Sequence, residues 1–388
     1  MMFRRIHSLT ATLLMALILA GCSVNPVTGE KQLSLISESK EVAMGAEQYK
    51  PTQQTQGGKF YLDPELSLYV QEVGMKLAKV SDRPDLPYEF VVLNSSVPNA
   101  WALPGGKIAI NRGLLTEFED EAQLASVLGH EIVHAAARHS VQRIQQSTLI
   151  SLGVAGLGYA LSENEWASLI MGGAAMGAQL ALAQYSQGAE LESDHYGIRY
   201  MAAAGYDPQA AVELQELFVR LSKGNNPGFL QGMFATHPPS QTRVEENQQL
   251  VKKIGAGGYR GREIYQKKLA FLRSRQPAYD ALDKARKLAR DDQLDKAIAE
   301  INEAIRIEPE EAAFYSLRGQ IYQAREQLDQ AAADFDKATS LYPEMFAYHL
   351  NSGLNALALN NLSKARNSLD KANETVPTSI AFLRLGDI

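Results

Sequence analysis

From residue 63 onward apolar residues recur at helical spacing. Leu66, Tyr69, Val70, Val73 and Leu77 fall on one face of a helix that Asp63 would cap and Pro64 would open. Residues 88–93, Tyr-Glu-Phe-Val-Val-Leu, read as a strand. Residues 99–103 and 107–110 flank Pro104-Gly105-Gly106, which predicts a hairpin. A longer helix is predicted over about 119–139, with Leu124, Leu128, Ile132 and Ala135 as its core stripe. Upstream, a turn-rich piece begins at Asn25-Pro26, a short helix is expected over about 37–49, and residues 52–58 are a Gln/Gly-rich stretch. Residues 149–183 are Ala/Gly-rich and apolar, interrupted at Ser162-Glu163-Asn164-Glu165. They fit two hydrophobic helices, packed together or forming a lid near the site. The runs fall short of the roughly 20 apolar residues that span a bilayer, and Gln179 interrupts the second.

The last third repeats itself. Pro309, Pro343 and Pro377 stand 34 residues apart, and in the same frame Leu294, Leu328 and Leu362 align. So do Ala297, Ala331 and Ala365, and Ala304, Ala338 and Ala372, while Gly319 matches Gly353. Small residues at a fixed 34-residue period let paired helices approach closely, and proline ends the second helix of each pair. The pattern resembles tetratricopeptide repeats. Three of them would cover about 276–377, with residues 378–388 beginning a capping helix. Such solenoids present a concave surface to extended peptides or partner proteins.

Composition narrows the function classes. With 388 residues, 45% hydrophobic and 21% charged, the chain is globular and long enough for two or three domains. A net charge of −6 lacks the cationic footprint of a nucleic-acid binder, so nucleic acid is excluded as an expected partner. A single cysteine rules out an internal disulfide and any multi-thiolate metal site, leaving His and carboxylates as ligands. That cysteine follows Arg4-Arg5, an apolar run at 9–20, and Leu19-Ala20-Gly21, the order of a secretory signal. Leu19-Ala20-Gly21-Cys22 resembles a bacterial lipobox, and Ser23 after the cysteine favours the outer membrane. The expectation is therefore a chain facing the periplasm and anchored to that membrane by lipidated Cys22.

The chemistry centres on His130-Glu131-Ile132-Val133-His134 inside the predicted helix. Residues four apart share a helix face, so both imidazoles can reach one metal ion while Glu131 faces a water bound there. A catalytic zinc usually takes three protein ligands and leaves one open position. Glu190 and Asp194, again four apart, supply a candidate third ligand, Glu190, and a second carboxylate able to orient a ligand histidine by hydrogen bonding. Glu192 would point away, and His195 is the alternative third ligand. His237, between Thr236 and Pro238-Pro239, either fills the fourth position and keeps the site latent or, with Arg243, stabilises an oxyanion or grips substrate.

The order Asn99-Ala100, Pro104-Gly105-Gly106, H-E-x-x-H, E-x-x-x-D, then Thr236-His237-Pro238-Pro239 with Arg243 resembles the gluzincin metallopeptidases that include the CAAX prenyl protease and the HtpX stress protease. The resemblance covers roughly residues 60–250. It implies that His130, His134 and Glu190 bind one zinc per chain, that Glu131 is the general base, and that Asp194 falls on an acid described as a proton donor. The residues themselves favour an orienting role for Asp194. The expected fold is mainly α with a small β-sheet, a gluzincin-type zinc metallopeptidase domain followed by an α-solenoid of tetratricopeptide repeats. Its divisions are a signal peptide at 1–21, a tether and N-terminal helix at 22–60, the peptidase domain at 61–255, a connector at 256–275 and the repeats at 276–388. The expected function is a zinc endopeptidase degrading misfolded or stalled envelope proteins and aiding outer-membrane protein assembly. Its expected partners are unfolded envelope proteins and the barrel-assembly machinery, the latter reached through the repeats. The alternative is a repeat-based periplasmic chaperone or scaffold with weak or latent peptidase activity. Residues 99–103 are expected as an edge strand that pairs with extended substrate.

Overall fold

The computed structural model describes residues 22–146, 184–224 and 232–388. The expected signal peptide and the two apolar helices of 149–183 lie outside the described residues. Among the described residues, no helix is long and apolar enough to cross a membrane.

The chain begins with an antiparallel pair, β1 (Cys22–Val24) and β2 (Lys31–Leu33), in the register Cys22↔Leu33. Helix α1 (Glu38–Thr55) follows, capped by Ser37, whose side chain accepts from the Lys40 amide. This helix passes through Pro51 and ends six residues beyond the predicted stop, because Thr52, Gln53 and Gln54 are buried rather than solvated. Gln54 Oε1 accepts from the Phe346 amide at 2.9 Å, and Lys59 N donates to the Tyr342 hydroxyl at 3.1 Å. The polar stretch expected as a tether is thus packed against the third repeat. Polarity alone could not reveal this, since the partners lie almost 300 residues away. Gly45 lets α1 press on the sheet: a Cβ there would stand 1.8 Å from the Pro104 carbonyl oxygen.

Helix α2 (Pro64–Ala78) has the predicted Asp63 cap and buries Leu66, Tyr69, Val70, Val73 and Leu77. Strands β3 (Glu89–Leu93), β4 (Ala100–Leu103) and β5 (Lys107–Asn111) form one sheet in the order β3-β5-β4. β4 and β5 are the predicted hairpin, antiparallel about the Pro104–Gly106 turn, while β3 runs parallel to β5. β4 therefore lies at an edge.

Helix α3 (Glu121–Ala136) carries H-E-x-x-H and, apart from Ser126, is buried throughout. Asp120 caps it by accepting from the Gln123 amide, and buried Glu121 accepts from the hydroxyls of Tyr69 and Tyr206 at 2.8 and 2.7 Å. Both acids sit at the helix N-terminus, where negative charge complements the dipole. Helices α4 (Gln187–Ala203) and α5 (Gln209–Lys223) pack on α3, and α6 (Gln241–Ile254) packs in turn on α4 and α5.

Residues 256–275 hold helix α7 (Arg262–Lys268) and the start of α8 (Ala270–Arg290); Tyr265 on α7 is buried and donates to the Leu115 carbonyl at 2.6 Å. The repeats are three helix pairs: α8 with α9 (Leu294–Ile307), α10 (Ala312–Ala324) with α11 (Leu328–Leu341), and α12 (Phe346–Ala358) with α13 (Leu362–Thr375). They are closed by α14 (Ser379–Gly386). Each pair turns on a residue in left-handed conformation, Asp292, Glu326 or Asn360, again 34 apart. The six periodic alanines are fully buried. Gly319 and Gly353 face the rings and branches of Phe335 and Leu369, which leave no room for a side chain. The first half of the chain and the repeats share one core. The Arg112 guanidinium lies 3.4 Å from the Tyr279 ring centre, and buried Glu311 accepts from Asn94 and from the Tyr279 hydroxyl, both at 2.9 Å.

Candidate metal centre

Two helices build the site, and two glycines set their distance. Gly129 on α3 and Gly197 on α4 meet where the helices cross; a Cβ on Gly197 would lie 3.0 Å from the His130 amide nitrogen. The close crossing brings the carboxylates of α4 to the histidines of α3. His130 and His134, one turn apart, hold their Nε2 atoms 3.0 Å from each other. Glu190 Oε1 is 3.3 Å from His134 Nε2, and its Oε2 is 3.6 Å from His130 Nε2. His237, at the end of a short turn of helix (Met233–Thr236), places Nδ1 2.9 Å from Glu190 Oε1 and 3.4 Å from His130 Nε2. All four residues are buried, and their donor atoms lie within 4.8 Å of one another.

This donor set fits a metal ion. Tetrahedral zinc with ligands at about 2.05 Å has donor atoms about 3.3 Å apart, and neighbouring donors here stand 2.9 to 3.6 Å apart. Three imidazole nitrogens with one carboxylate oxygen are also a donor set that zinc takes. Glu131 adds a further sign. Both its carboxylate oxygens are buried without a hydrogen-bond partner among the described residues, and Oε1 lies 3.4 Å from His237 Nε2. Orphaned polar atoms of this kind mark a functional site rather than a structural one.

Asp194 Oδ1 is 2.9 Å from His130 Nδ1, and both its oxygens accept from Arg243, Oδ2 from Nε at 2.6 Å and Oδ1 from Nη2 at 2.8 Å. This pairing keeps a proton on His130 Nδ1, so Nε2 is the nitrogen that gives up its proton to meet a metal. Arg243 also reaches Glu190 Oε2 at 2.7 Å and the Pro238 carbonyl at 3.2 Å. With its donors so engaged, Arg243 clamps two acids and the His237 loop instead of extending toward a substrate. His195, the alternative ligand, lies on the exposed face of α4 outside the cluster.

Burial alone would lower His130, but the charge of Glu190 and the hydrogen bond and charge of Asp194 outweigh it and push the group up to about 10. Burial holds His134 well below its ordinary range. Burial would raise Glu190 and Asp194, yet both are held low, Glu190 chiefly by His237, Arg243 and His130 and Asp194 chiefly by Arg243 and His130. Glu131 is raised by burial against the pull of His237 and His130. A pH dependence follows. Metal must displace the proton that His130 carries below about pH 10, whereas His134 and Glu190 are already deprotonated at neutral pH. Apparent metal affinity should therefore rise about tenfold per pH unit between pH 6 and 8. Chelator competition at several pH values checks this, and a flat profile would refute the protonated His130.

Sequence reasoning missed three contributors. Tyr185 stacks on the His134 ring, centroids 3.7 Å apart, and pairs its hydroxyl with Ser140 Oγ at 2.9 Å. Ser140 in turn donates to the Ala102 carbonyl of β4 at 3.1 Å. Asn111 N donates to the Asn99 carbonyl, so by antiparallel alternation Ala100 and Ala102 turn their backbone groups away from β5. His139 lies 2.9 Å from His134. The one available sequence signal was a third histidine five residues beyond H-E-x-x-H. The glycine crossing had no local signal.

Residues 64–251 match Peptidase family M48, a metallopeptidase family. The chain is similar to the beta-barrel assembly-enhancing protease of Yersinia pestis, 28% identical over 227 residues, 57% of this chain and 46% of that protein. It is also similar to the mitochondrial metalloendopeptidase OMA1 of Schizosaccharomyces pombe, 30% identical over 225 residues, 57% of this chain and 64% of that protein. The chain spans about half the length of the assembly-enhancing proteases it matches. Among solved structures, the Arabidopsis OM64 TPR domain covers 29% of this chain and 98% of its own, at 20% identity and a TM-score of 0.28.

Proposed function

With residues 64–251 carrying a Peptidase family M48 domain, we propose that the protein is a zinc-dependent endopeptidase of the bacterial envelope. In this reading it faces the periplasm, is anchored to the outer membrane by lipidated Cys22, and degrades misfolded or stalled envelope proteins while aiding outer-membrane protein assembly. The observation that carries the reading is the convergence of His130, His134 and Glu190 beside a buried Glu131 whose oxygens make no hydrogen bond among the described residues. Similarity to proteases named for barrel assembly supports the envelope task, and the helix-pair repeats support docking of protein clients or of the barrel-assembly machinery.

His130, His134 and Glu190 would hold one zinc, which supplies Lewis acidity to the scissile carbonyl and to water. Glu131 takes the proton of the attacking water at its carboxylate and passes it to the leaving amine nitrogen; its raised affinity for a proton suits that exchange. Asp194 and Arg243 position His130 and Glu190 and touch no reacting atom. The edge strand β4 pairs with an extended substrate through backbone groups at Ala100 and at Ala102, whose carbonyl exchanges its Ser140 partner for the substrate, giving broad specificity. His237, standing at the fourth ligand position, restrains the site, which also favours the second reading of a scaffold with latent peptidase activity.

The test is one fractionation. The chain should be recovered in outer-membrane fractions, and those fractions should cleave a denatured barrel protein until a zinc chelator is added. Wild-type chain in the soluble periplasm would refute the lipid anchor, and cleavage indifferent to chelation would refute the zinc peptidase.

A further inference from the structure

A second line of polar side chains leaves the metal centre on the side away from Asp194, and the peptidase chemistry above does not use it. His134 Nδ1 lies 2.9 Å from His139 Nδ1. His139 Nε2 faces Glu192 Oε1 at 3.4 Å, and the same oxygen accepts from Asn25 Nδ2 at 3.2 Å. Asn25 belongs to the N-terminal hairpin, where its Oδ1 accepts from the amides of Val27 and Thr28 at 2.9 and 3.3 Å. His134, His139 and Asn25 are all buried. We propose that His139 is a positioning residue for the metal ligand His134, held in place by Glu192 and Asn25, so that the N-terminal hairpin forms part of the metal centre's support.

The donor and acceptor roles follow from one requirement. To offer a bare Nε2 to the metal, neutral His134 must carry its proton on Nδ1, and a buried N–H needs an acceptor. His139 meets that need with a bare Nδ1, which places its own proton on Nε2, facing the Glu192 carboxylate. Glu192 thereby selects the His139 tautomer, as Asp194 selects that of His130. The two ligand histidines are supported from two positions on α4, and Glu192 points away from the metal because it serves this outer position.

Local backbone geometry supports the assignment. Helix α3 stops at Ala136, and Arg138 takes a left-handed conformation, φ 63°, that folds His139 back beneath His134. A non-glycine residue holds that conformation only where its surroundings impose it. Arg138 is pinned by Glu41 at 2.8 Å, by Ser34 at 2.7 Å and by the Ile36 carbonyl at 2.5 Å. Residues 25–41 therefore reach His139 twice, through Glu192 and through Arg138.

This inference rests on the zinc reading of the site, and purified full-length protein tests both. His139→Leu keeps the bulk and removes the acceptor; His139→Asn places Oδ1 close to where Nδ1 now stands. Chelator competition should show zinc affinity about 10–100-fold weaker in His139→Leu, the usual loss for such a partner, and within about threefold of wild type in His139→Asn. The metal-free melting temperatures should stay close to wild type in both. Wild-type affinity in His139→Leu, or an equal loss in both variants, would overturn the assignment while leaving the zinc site standing. A wild-type chain that takes up no zinc would overturn both. Should His139→Leu not fold, Glu192→Met must weaken zinc binding in the same direction, and unchanged affinity there counts against the proposal.

Discussion

Glu131→Gln is expected to lower peptide cleavage by about 10²–10⁴-fold, the range for losing a general base, while leaving about one zinc bound per chain. The carboxamide has nearly the shape of the carboxylate, and Glu131 belongs to none of the four donors that converge at the centre. It cannot accept and return a proton. The metal-free site should also tolerate the change well, because the Glu131 oxygens are already buried without hydrogen-bond partners among the described residues. Removing a charge from such surroundings relieves a desolvation cost and gives up only the 3.4 Å contact with His237. Turnover and melting temperature should therefore move apart, with turnover collapsing and stability holding or rising. The same variant should keep substrates bound and uncleaved. Cleavage at the wild-type rate by the zinc-loaded variant would remove Glu131 from the mechanism. Full envelope quality control by an inactive variant would favour the scaffold reading.

The sequence disclosed what local period and spacing can encode. The repeats were legible because one 34-residue frame fixes prolines, leucines and alanines together, so each of those positions is announced three times. H-E-x-x-H and E-x-x-x-D were legible because helical geometry converts a spacing of four into a shared face. What stayed hidden depends on contacts distant in sequence. Thr52, Gln53 and Gln54 look like a solvated linker and are buried because the third repeat covers them. The approach of α3 to α4 depends on Gly129 and Gly197, two glycines among 29 in the chain. His139 lies past the end of its helix, so helical spacing from His134 could not place it; a left-handed Arg138 does.

The other large effect is expected at His237. His237→Ala should raise cleavage of an unfolded protein and keep the zinc, because three ligands remain and the fourth position opens to water. The geometry favours restraint over oxyanion binding. His237 Nδ1 stands among the metal-facing atoms, 2.9 Å from Glu190 and 3.4 Å from His130, where it occupies a ligand position itself. Its loop is also built to hold it there: the His237 amide donates to the Met233 carbonyl, the Thr236 carbonyl accepts from Tyr185 N, and Met233 N donates to the Pro98 carbonyl beside the edge strand. An extended substrate on β4 would thus contact the elements that keep His237 in place, which gives binding a route to release it. If closure is favoured by about 1.4 kcal/mol, roughly a tenth of molecules are open at rest, and removing the side chain should raise turnover about tenfold. Were His237 an oxyanion donor, the same change would cost roughly 10²–10³-fold. The two roles predict opposite signs from one assay. Unchanged turnover with unchanged zinc content would return His237 to a structural role and leave the enzyme's restraint, if it has one, to another part of the chain.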